Sequence, residues 1–132
     1  MNESDHIKST SLFDRIGGKD AVEAAVSKMY DKILKDPILM PFFKDLDMAS
    51  QRRSQVGFII MAFGGPNNYT GSDMTSVHKK LVEEQGLSDI HFDAVAGHLK
   101  EALVELNVPQ DLIDESLALV ETTRGSVLGR AA

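Results

Sequence analysis

The apolar residues of this chain recur at spacings of three and four over most of its length, which is the pattern of amphipathic helices. No segment shows the period-two alternation of a strand, so the sequence predicts an all-α fold. Glycine pairs and prolines, as in Gly17-Gly18, Asp36-Pro37 and Gly64-Gly65-Pro66, mark the breaks between helices. The predicted helices cover residues 11–16, 19–35, 48–63 with Asp47 as cap, 74–86, 88–106 with Ser88 as cap, and 110–125. We interpret Pro41-Phe42-Phe43 as part of a tight connection and residues 1–10 as a flexible tail.

His78 interrupts this pattern because it lies inside an apolar stripe. Met74, Val77 and Leu81 trace one face of its predicted helix, and His78 falls on that face. A buried imidazole needs partners for both ring nitrogens, and either a hydrogen-bond network or a metal ion can supply them. Position alone favours a hydrogen-bonded core histidine over a metal ligand.

Composition removes several classes of protein from consideration. The 132 residues suit one domain, and the absence of cysteine excludes disulfides, zinc-thiolate sites, iron–sulfur clusters and thiol nucleophiles. A net charge of -6 without a block of basic residues argues against a nucleic-acid partner. The polar first ten residues and the lack of a long apolar run predict a cytoplasmic protein with neither a signal peptide nor a membrane partner.

Other candidate sites in the sequence are weaker. His91 and His98 lie seven residues apart on one predicted helix and could share a non-haem metal with His78, but no carboxylate recurs at the spacing of known metal sites. No serine has the strained strand-to-helix context of a hydrolase nucleophile. The glycine pairs do not follow strands and match no phosphate-binding motif.

A group of polar residues on predicted inward faces requires another explanation. Tyr30, Gln51 and Gln55 accompany His78, and Phe42, Phe43 and Phe58 supply a ring of aromatic side chains. Hydrocarbon cannot satisfy a buried phenol, two amides and an imidazole. The combination therefore indicates a polar ligand inside an apolar cavity.

Apart from Tyr30, these residues stand within motifs that resemble the group I truncated haemoglobins, from Ser11 to about the last helix. The matching segments, in chain order, are SLFDRIGG, DPILMPFF, DMASQRRSQVGFI, FGGP, YTG, MTSVH and HFDAVAGHL. The resemblance implies a truncated globin-like two-over-two helical sandwich over residues 11–129. It also implies a haem b (iron protoporphyrin IX) cofactor, with His78 as the proximal iron ligand.

The resemblance assigns further residues to the two sides of the haem. Tyr30, Gln51 and Gln55 become the distal groups that stabilise a bound ligand, and Phe43 packs on the porphyrin. Phe58, Met74, Leu81, Phe92 and Val95 line the slot, with Val120 as a further candidate. The propionates, which need donors, are assigned to Tyr69, Arg53 and Lys79.

The implied function is reversible binding of dioxygen and other diatomic gases, NO and CO, at a histidine-ligated iron. Oxidation of NO to nitrate or a peroxidase-like activity would extend it, with an external reductase as electron donor because the chain has no flavin or nicotinamide motif. The alternative is a haem-based sensor or helical binding module without catalytic turnover. We expect a monomer or a weak oligomer.

Two departures from the family pattern affect the haem environment. Some relatives carry a distal-helix His or Lys that binds iron, but this chain has Ser54 between Arg53 and Gln55, which predicts an open or water-bound sixth position. Other relatives attach haem covalently through a His in the last helix. The corresponding ETTRGSV has none, so we expect non-covalent binding.

Overall fold

The computed structural model describes residues 11–43, 48–65, 82 and 86–128, and the regular secondary structure in these ranges is helical. The predicted all-α fold is confirmed. Within these ranges the helices are α1 (Leu12–Arg15), α2 (Gly18–Ile33), α3 (Met40–Phe43), α4 (Met48–Ala62), α5 (Asp89–Glu105), α6 (Gln110–Glu121) and α7 (Arg124–Val127). Tail residues 1–10, Asp47, Tyr69 and residues 74–81 lie outside the described ranges. None of the described helices is long and apolar enough to span a bilayer.

The four longer helices form two layered pairs. Helix α2 packs on α4, and α5 packs on α6. Contacts of α2 with α5 and of α4 with α6 place one pair over the other, which is the predicted two-over-two arrangement. The core between the pairs contains fully buried side chains from both layers, including Val22, Val26, Met29, Tyr30, Ile33, Ile59, Leu99, Leu103 and Ile113.

The turn between α1 and α2 depends on glycine. Gly17 and Gly18 have φ angles of 119° and 75°, in the left-handed region that side chains with a Cβ rarely adopt. The predicted sharp bend is confirmed, and α2 begins at Gly18, one residue earlier than predicted. Ser11 caps α1 by accepting the Asp14 N–H at 3.2 Å.

The second glycine pair lets α1 dock against the end of α4. A Cβ at Gly65 would lie 2.6 Å from a ring carbon of Phe13, so only glycine allows this approach. The Phe13 N–H donates to the Phe63 carbonyl oxygen at 3.0 Å. These two contacts join α1 to the residues that directly follow α4.

The segment after α2 is more ordered than its sequence predicts. Instead of a plain connection, Met40–Phe43 forms the single-turn helix α3. The Met40 N–H donates to the Asp36 carbonyl at 2.8 Å, and the Phe42 N–H donates to the Leu39 carbonyl at 3.0 Å. These bonds fix the direction of Phe42 and Phe43, which is why the segment contributes to the site.

The prediction of one final helix that fades near Gly125 is wrong. Helix α6 ends at Glu121, and a turn separates it from α7. The hydroxyls of Thr122 and Thr123 donate back to the carbonyls of Leu119 and Val120, each at 2.6 Å. Side-chain bonds of this kind compete with helix continuation.

Candidate functional site

A largely apolar cavity lies between the two helix pairs and includes about 800 Å³ of space, counting its open mouth. The space inside it that a water-sized molecule can occupy is about 80 Å³. Among the described residues, the lining comes from five helices, α2 to α6 with α3 included, from α7, and from the segments that precede α3 and α5. These residues are Met29, Tyr30, Ile33, Leu39, Phe42, Phe43, Gln51, Gln55, Phe58, Ile59, Leu87, His91, Phe92, Val95, Ala96, Leu99, Val120 and Val127.

Tyr30 presents a phenol at the α2 side of this cavity. The residue is 0% exposed, and burial raises the pKa of its hydroxyl to about 12. The phenol therefore stays protonated near neutral pH and acts as a hydrogen-bond donor. Its partner within the described residues is the main-chain carbonyl oxygen of Gln51 at 3.5 Å, which is the long limit of a hydrogen bond.

Gln51 and Gln55 also line the cavity, as predicted from their position on the inward face of α4. They lie one helical turn apart, so both side chains project from the same side of the helix. Each residue is half-buried rather than fully enclosed. The structure thus brings Tyr30 and both amides to one cavity.

Aromatic rings form much of the remaining wall. The ring of Phe43 meets that of Tyr30 edge to face, with centroids 5.7 Å apart and planes at 87°. Phe42 contacts the imidazole of His91 at 4.7 Å between centroids. Such edge-to-face pairs restrict the orientation of both rings. Phe58, Phe92, Val95 and Val120, which the resemblance assigns to the haem slot, line this cavity too.

Arg53 does not reach the cavity, so the structure gives no support to its assignment as a propionate donor. It is exposed and lines a separate groove with Lys19 and Glu23 on the outer side of α2 and α4. The reason is helical geometry, because Arg53 lies two residues from both Gln51 and Gln55 and therefore projects from another face. Arg52 lies 5.9 Å from the centre of the Tyr30 ring and donates to Ser27 Oγ at 3.0 Å.

The two described histidines have different environments. His91 lines the cavity, and its Nδ1 accepts the Ser88 N–H at 3.0 Å. Ser88 caps α5, as predicted. His98 does not line the cavity; its Nε2 lies 2.7 Å from Asp36 Oδ2, and the hydrogen bond from His98 is the main cause that lowers the pKa of Asp36.

Several cavity residues were missed by sequence reasoning. His91 is the clearest case. Glu or Gln three residues after Ser88 would indicate a capping box, but histidine in that position gives no such signal in the sequence. Leu99 continues the spacing of Phe92 and Val95 and could have been found from it. The sequence offered no signal for Leu39, Leu87 or Val127, which depend on how the loops and termini fold back.

Five predicted site residues lie outside the described residues. They are Tyr69, Met74, His78, Lys79 and Leu81. The proximal ligand, two of the slot residues and two of the propionate candidates therefore stay predictions. Among the residues that the structure does describe, no group of three or more His, Asp or Glu side chains is arranged to hold a metal ion.

Sequence comparison matches nearly the whole described chain to one family. The profile described as bacterial-like globin matches residues 11–128. A group 1 truncated haemoglobin of Synechocystis is 46% identical over 110 residues, which cover 83% of this chain and 89% of the relative.

Structure comparison gives the same result. A 2/2 haemoglobin from Synechococcus, solved in the cyanomet state with covalently attached haem, superposes with a TM-score of 0.84 at 46% identity and covers 92% of this chain and 100% of its own. The Fe(III) form of truncated haemoglobin from Tetrahymena pyriformis superposes with a TM-score of 0.80 at 37% identity, covering 90% of this chain and 98% of its own.

Proposed function

This chain belongs to the group 1 truncated haemoglobins within the bacterial-like globin family, whose members bind haem, and from that premise we propose that it reversibly binds dioxygen, NO and CO at a haem iron ligated by His78. The observation that carries the proposal is the shared cavity of Tyr30, Gln51 and Gln55. These side chains place neutral hydrogen-bond donors on one side of an otherwise apolar space.

The described residues fit a haem group on two grounds. The cavity walls are mostly hydrocarbon and aromatic, as a flat apolar macrocycle requires, and they include Phe58 from α4 and Phe92 and Val95 from α5. The polar side chains in the described lining are few and come mainly from α2 and α4. Haem, when bound, would supply an iron that binds diatomic gases, and the polarity of the surrounding side chains would control their affinity.

Tyr30 is suited to stabilise such a ligand. A phenol is protonated at neutral pH, and burial, which raises the pKa of Tyr30 to about 12, makes loss of the proton still less favourable. The hydroxyl can therefore donate a hydrogen bond to a ligand that carries partial negative charge. The 3.5 Å contact with the Gln51 carbonyl is too long to hold the hydroxyl strongly. The hydroxyl can therefore form a hydrogen bond to a ligand at little cost in protein stability.

The amides of Gln51 and Gln55 supply further donors beside Tyr30. An amide can donate through nitrogen or accept through oxygen, so this pair can orient the phenol as well as contact a ligand. Half-burial leaves both amides partly accessible to water, which weakens each bond compared with that of Tyr30. We assign Tyr30 the larger share of ligand stabilisation.

The contacts of the described histidines support the assignment of His78 as the iron ligand. His98 points its Nε2 at Asp36 and lies outside the cavity lining. His91 is the competing candidate because it lines the cavity, although its Nδ1 already accepts the Ser88 N–H that caps α5. Helix α4 contains neither His nor Lys, which agrees with an open or water-bound sixth position.

We further propose that the haem is haem b and is bound without a covalent link. The Synechococcus relative carries covalently attached haem, but residues 110–128 of this chain contain no histidine that could form a bond of that type. Haem should therefore pass completely into acidified organic solvent. Haem that stays with the polypeptide would show another attachment site.

The same pocket suits oxidation of NO to nitrate by dioxygen. That reaction would consume one external electron per turnover, and the chain has no nucleotide-cofactor motif that could supply it. An external reductase is the implied partner. The test is nitrate formation from NO and dioxygen with a chemical reductant present, and loss of that activity in Tyr30→Phe.

The deciding experiment is a set of absorption spectra in the ferric, dithionite-reduced and CO-exposed forms. We would compare the unsubstituted protein with His78→Ala, His91→Ala and His98→Ala. An intense haem band that shifts with CO and is lost or altered only in His78→Ala would establish the cofactor and its ligand. The same loss in His91→Ala would transfer the ligand role to His91, and no haem band in any form would refute haem binding.

A further inference from the structure

Arg124 lies behind the apolar wall of the cavity without lining it. Its guanidinium carbon is 4.4 Å from the centre of the Phe92 ring. Phe92 is itself a wall residue and is almost fully buried. The guanidinium therefore contacts a ring that forms part of the cavity wall, while Arg124 itself is not among the lining residues.

Carboxylates from two helices hold this guanidinium in place. Nη1 donates to Asp89 Oδ1 at 2.9 Å, and Nη2 donates to Asp93, both on α5. Nε and Nη2 donate to the two carboxylate oxygens of Glu121, at the end of α6, at 2.6 and 2.9 Å. Arg124 thus joins the start of α5 to the end of α6 and to α7.

Stability alone is a poor explanation for this arrangement. The three carboxylates are substantially exposed, and exposed ion pairs contribute little individually. The planar guanidinium can instead donate to several carboxylates while its face rests on an aromatic ring, which an ammonium group cannot do equally well. Several bonds in one plane leave the guanidinium little freedom, so it restricts the Phe92 ring.

We propose that Arg124 is a positioning residue of the haem slot, which holds the Phe92 ring against the cavity and thereby slows the release of haem. This inference rests on the proposed haem binding. Arg124 touches no cavity space itself and acts through Phe92. Without the cation, Asp89, Asp93 and Glu121 would also repel one another beside the ring, which would further weaken its restraint.

The test measures the rate of haem transfer from the ferric protein to excess apomyoglobin. Arg124→Gln should speed transfer by about tenfold, as expected for a partly buried cation–π contact that lies between the exposed and the desolvated limits. Arg124→Lys should give a smaller increase because it keeps the charge but not the planar fork. The matched control is Arg15→Gln. Arg15 forms a two-pronged bridge to Glu115 at 2.8 and 2.5 Å but lies away from the cavity, so transfer should change by less than about twofold.

A double substitution separates positioning from general destabilisation. In a Phe92→Leu background the ring is absent, so adding Arg124→Gln should speed haem transfer by less than about threefold. Urea unfolding of the haem-free proteins would show whether the stability losses of Arg124→Gln and Arg15→Gln are comparable. If Arg124→Gln fails to fold, Arg124→Lys alone must exceed Arg15→Gln in haem loss.

Two results would overturn the inference. The first is an equal effect of Arg124→Gln on the rate of haem transfer with and without the Phe92 ring. The second is a rate of haem transfer that rises with the loss of unfolding free energy in the same way for the Arg124 and Arg15 variants. Failure of the proposed function looks different, because the unsubstituted protein would then take up no haem.

Discussion

The two walls of the cavity are built on different principles. The wall from α2 and α4 carries Tyr30, Gln51 and Gln55, whose polar groups interrupt otherwise apolar helix faces. The wall from α5 and its neighbours carries Phe92, Val95 and Leu99 at regular helical spacing. His91 is its polar side chain among the described lining residues, and the Arg124 contacts lie outside the lining. A polar group inside a core reduces stability unless it is satisfied, whereas an apolar side chain there increases it.

The difference separates ligand chemistry from structural support. We expect substitutions in the α5 wall to change the free energy of unfolding with little effect on the release of a gas from intact protein. Substitutions in the α2–α4 wall should do the opposite. Each variant therefore needs both a measurement of the free energy of unfolding and a measurement of the rate of gas release. A variant of one wall that behaves as expected for the other wall would contradict the distinction.

The largest effect is expected for Leu99→Ala in the α5 wall. Leu99 is 1% exposed, and truncation of a buried leucine should lower the free energy of unfolding of the haem-free protein by about 3 kcal/mol. Urea unfolding followed by circular dichroism measures this loss. The control is Val104→Ala on the same helix, which is 52% exposed and should change stability by less than about 0.5 kcal/mol. Equal losses in both variants would mean that Leu99 is not part of the packed wall.

The second effect concerns the joint between the two walls. Asp36 accepts the Ile38 N–H at 2.9 Å ahead of α3, and its second oxygen bonds His98 on α5. Asp36→Asn places an amide group opposite the imidazole donor, so it should cost about 2 kcal/mol at neutral pH, as expected for a charged hydrogen bond. The exposed Asp114→Asn should cost less than about 0.5 kcal/mol.

The joint also predicts how stability depends on pH. The His98 bond and the Ile38 N–H lower the pKa of Asp36 in the folded protein. As pH falls, the unfolded chain therefore takes up this proton first, and the stability from Asp36 is present above the unfolded pKa of about 4 and is lost as pH falls through the folded pKa. Urea unfolding at a series of pH values down to about 3 should show a smaller acid loss in Asp36→Asn than in the unsubstituted protein. Parallel curves would contradict the coupling.

The fold was largely predictable because the spacing of apolar residues by three and four positions indicates each helix. The longer described helices lie close to their predicted ranges, and glycine pairs mark the predicted turns. The polar wall was predictable for the opposite reason. Tyr30, Gln51 and Gln55 stand out because they occupy positions where the helical pattern calls for hydrocarbon.

The missed features depend on contacts between segments that are distant in sequence. Arg53 is as basic as a propionate donor should be, but only the rotation of α4 shows that it lies on another face. Arg124 resembles an ordinary surface charge until Asp89, Glu121 and the ring of Phe92 are brought beside it. Charge and residue type do not encode these partners, whereas helix periodicity is local to each segment.

The third effect tests the polar wall at its centre. Tyr30→Phe removes one donor from the cavity and should speed dioxygen release about tenfold, while the long 3.5 Å bond to Gln51 predicts only a small loss of stability. Stopped-flow replacement of dioxygen by CO gives the rate. The control is Met29→Leu, a volume-conserving change at a neighbouring cavity residue, with a change of less than about twofold. Similar rates in both variants would remove Tyr30 from the ligand network.

The smallest effect sharpens the division of roles within the polar wall. Gln51→Leu and Gln55→Leu should each speed dioxygen release by about threefold, because a half-buried neutral amide forms a weaker bond than the enclosed phenol. If the amides act independently, the double variant should be about ninefold faster, and a smaller product would show that both act through one network. Arg53→Gln, on another face of α4, is the control and should leave the rate unchanged. A greater effect at either glutamine than in Tyr30→Phe would reverse the assignment and make the amide the principal donor.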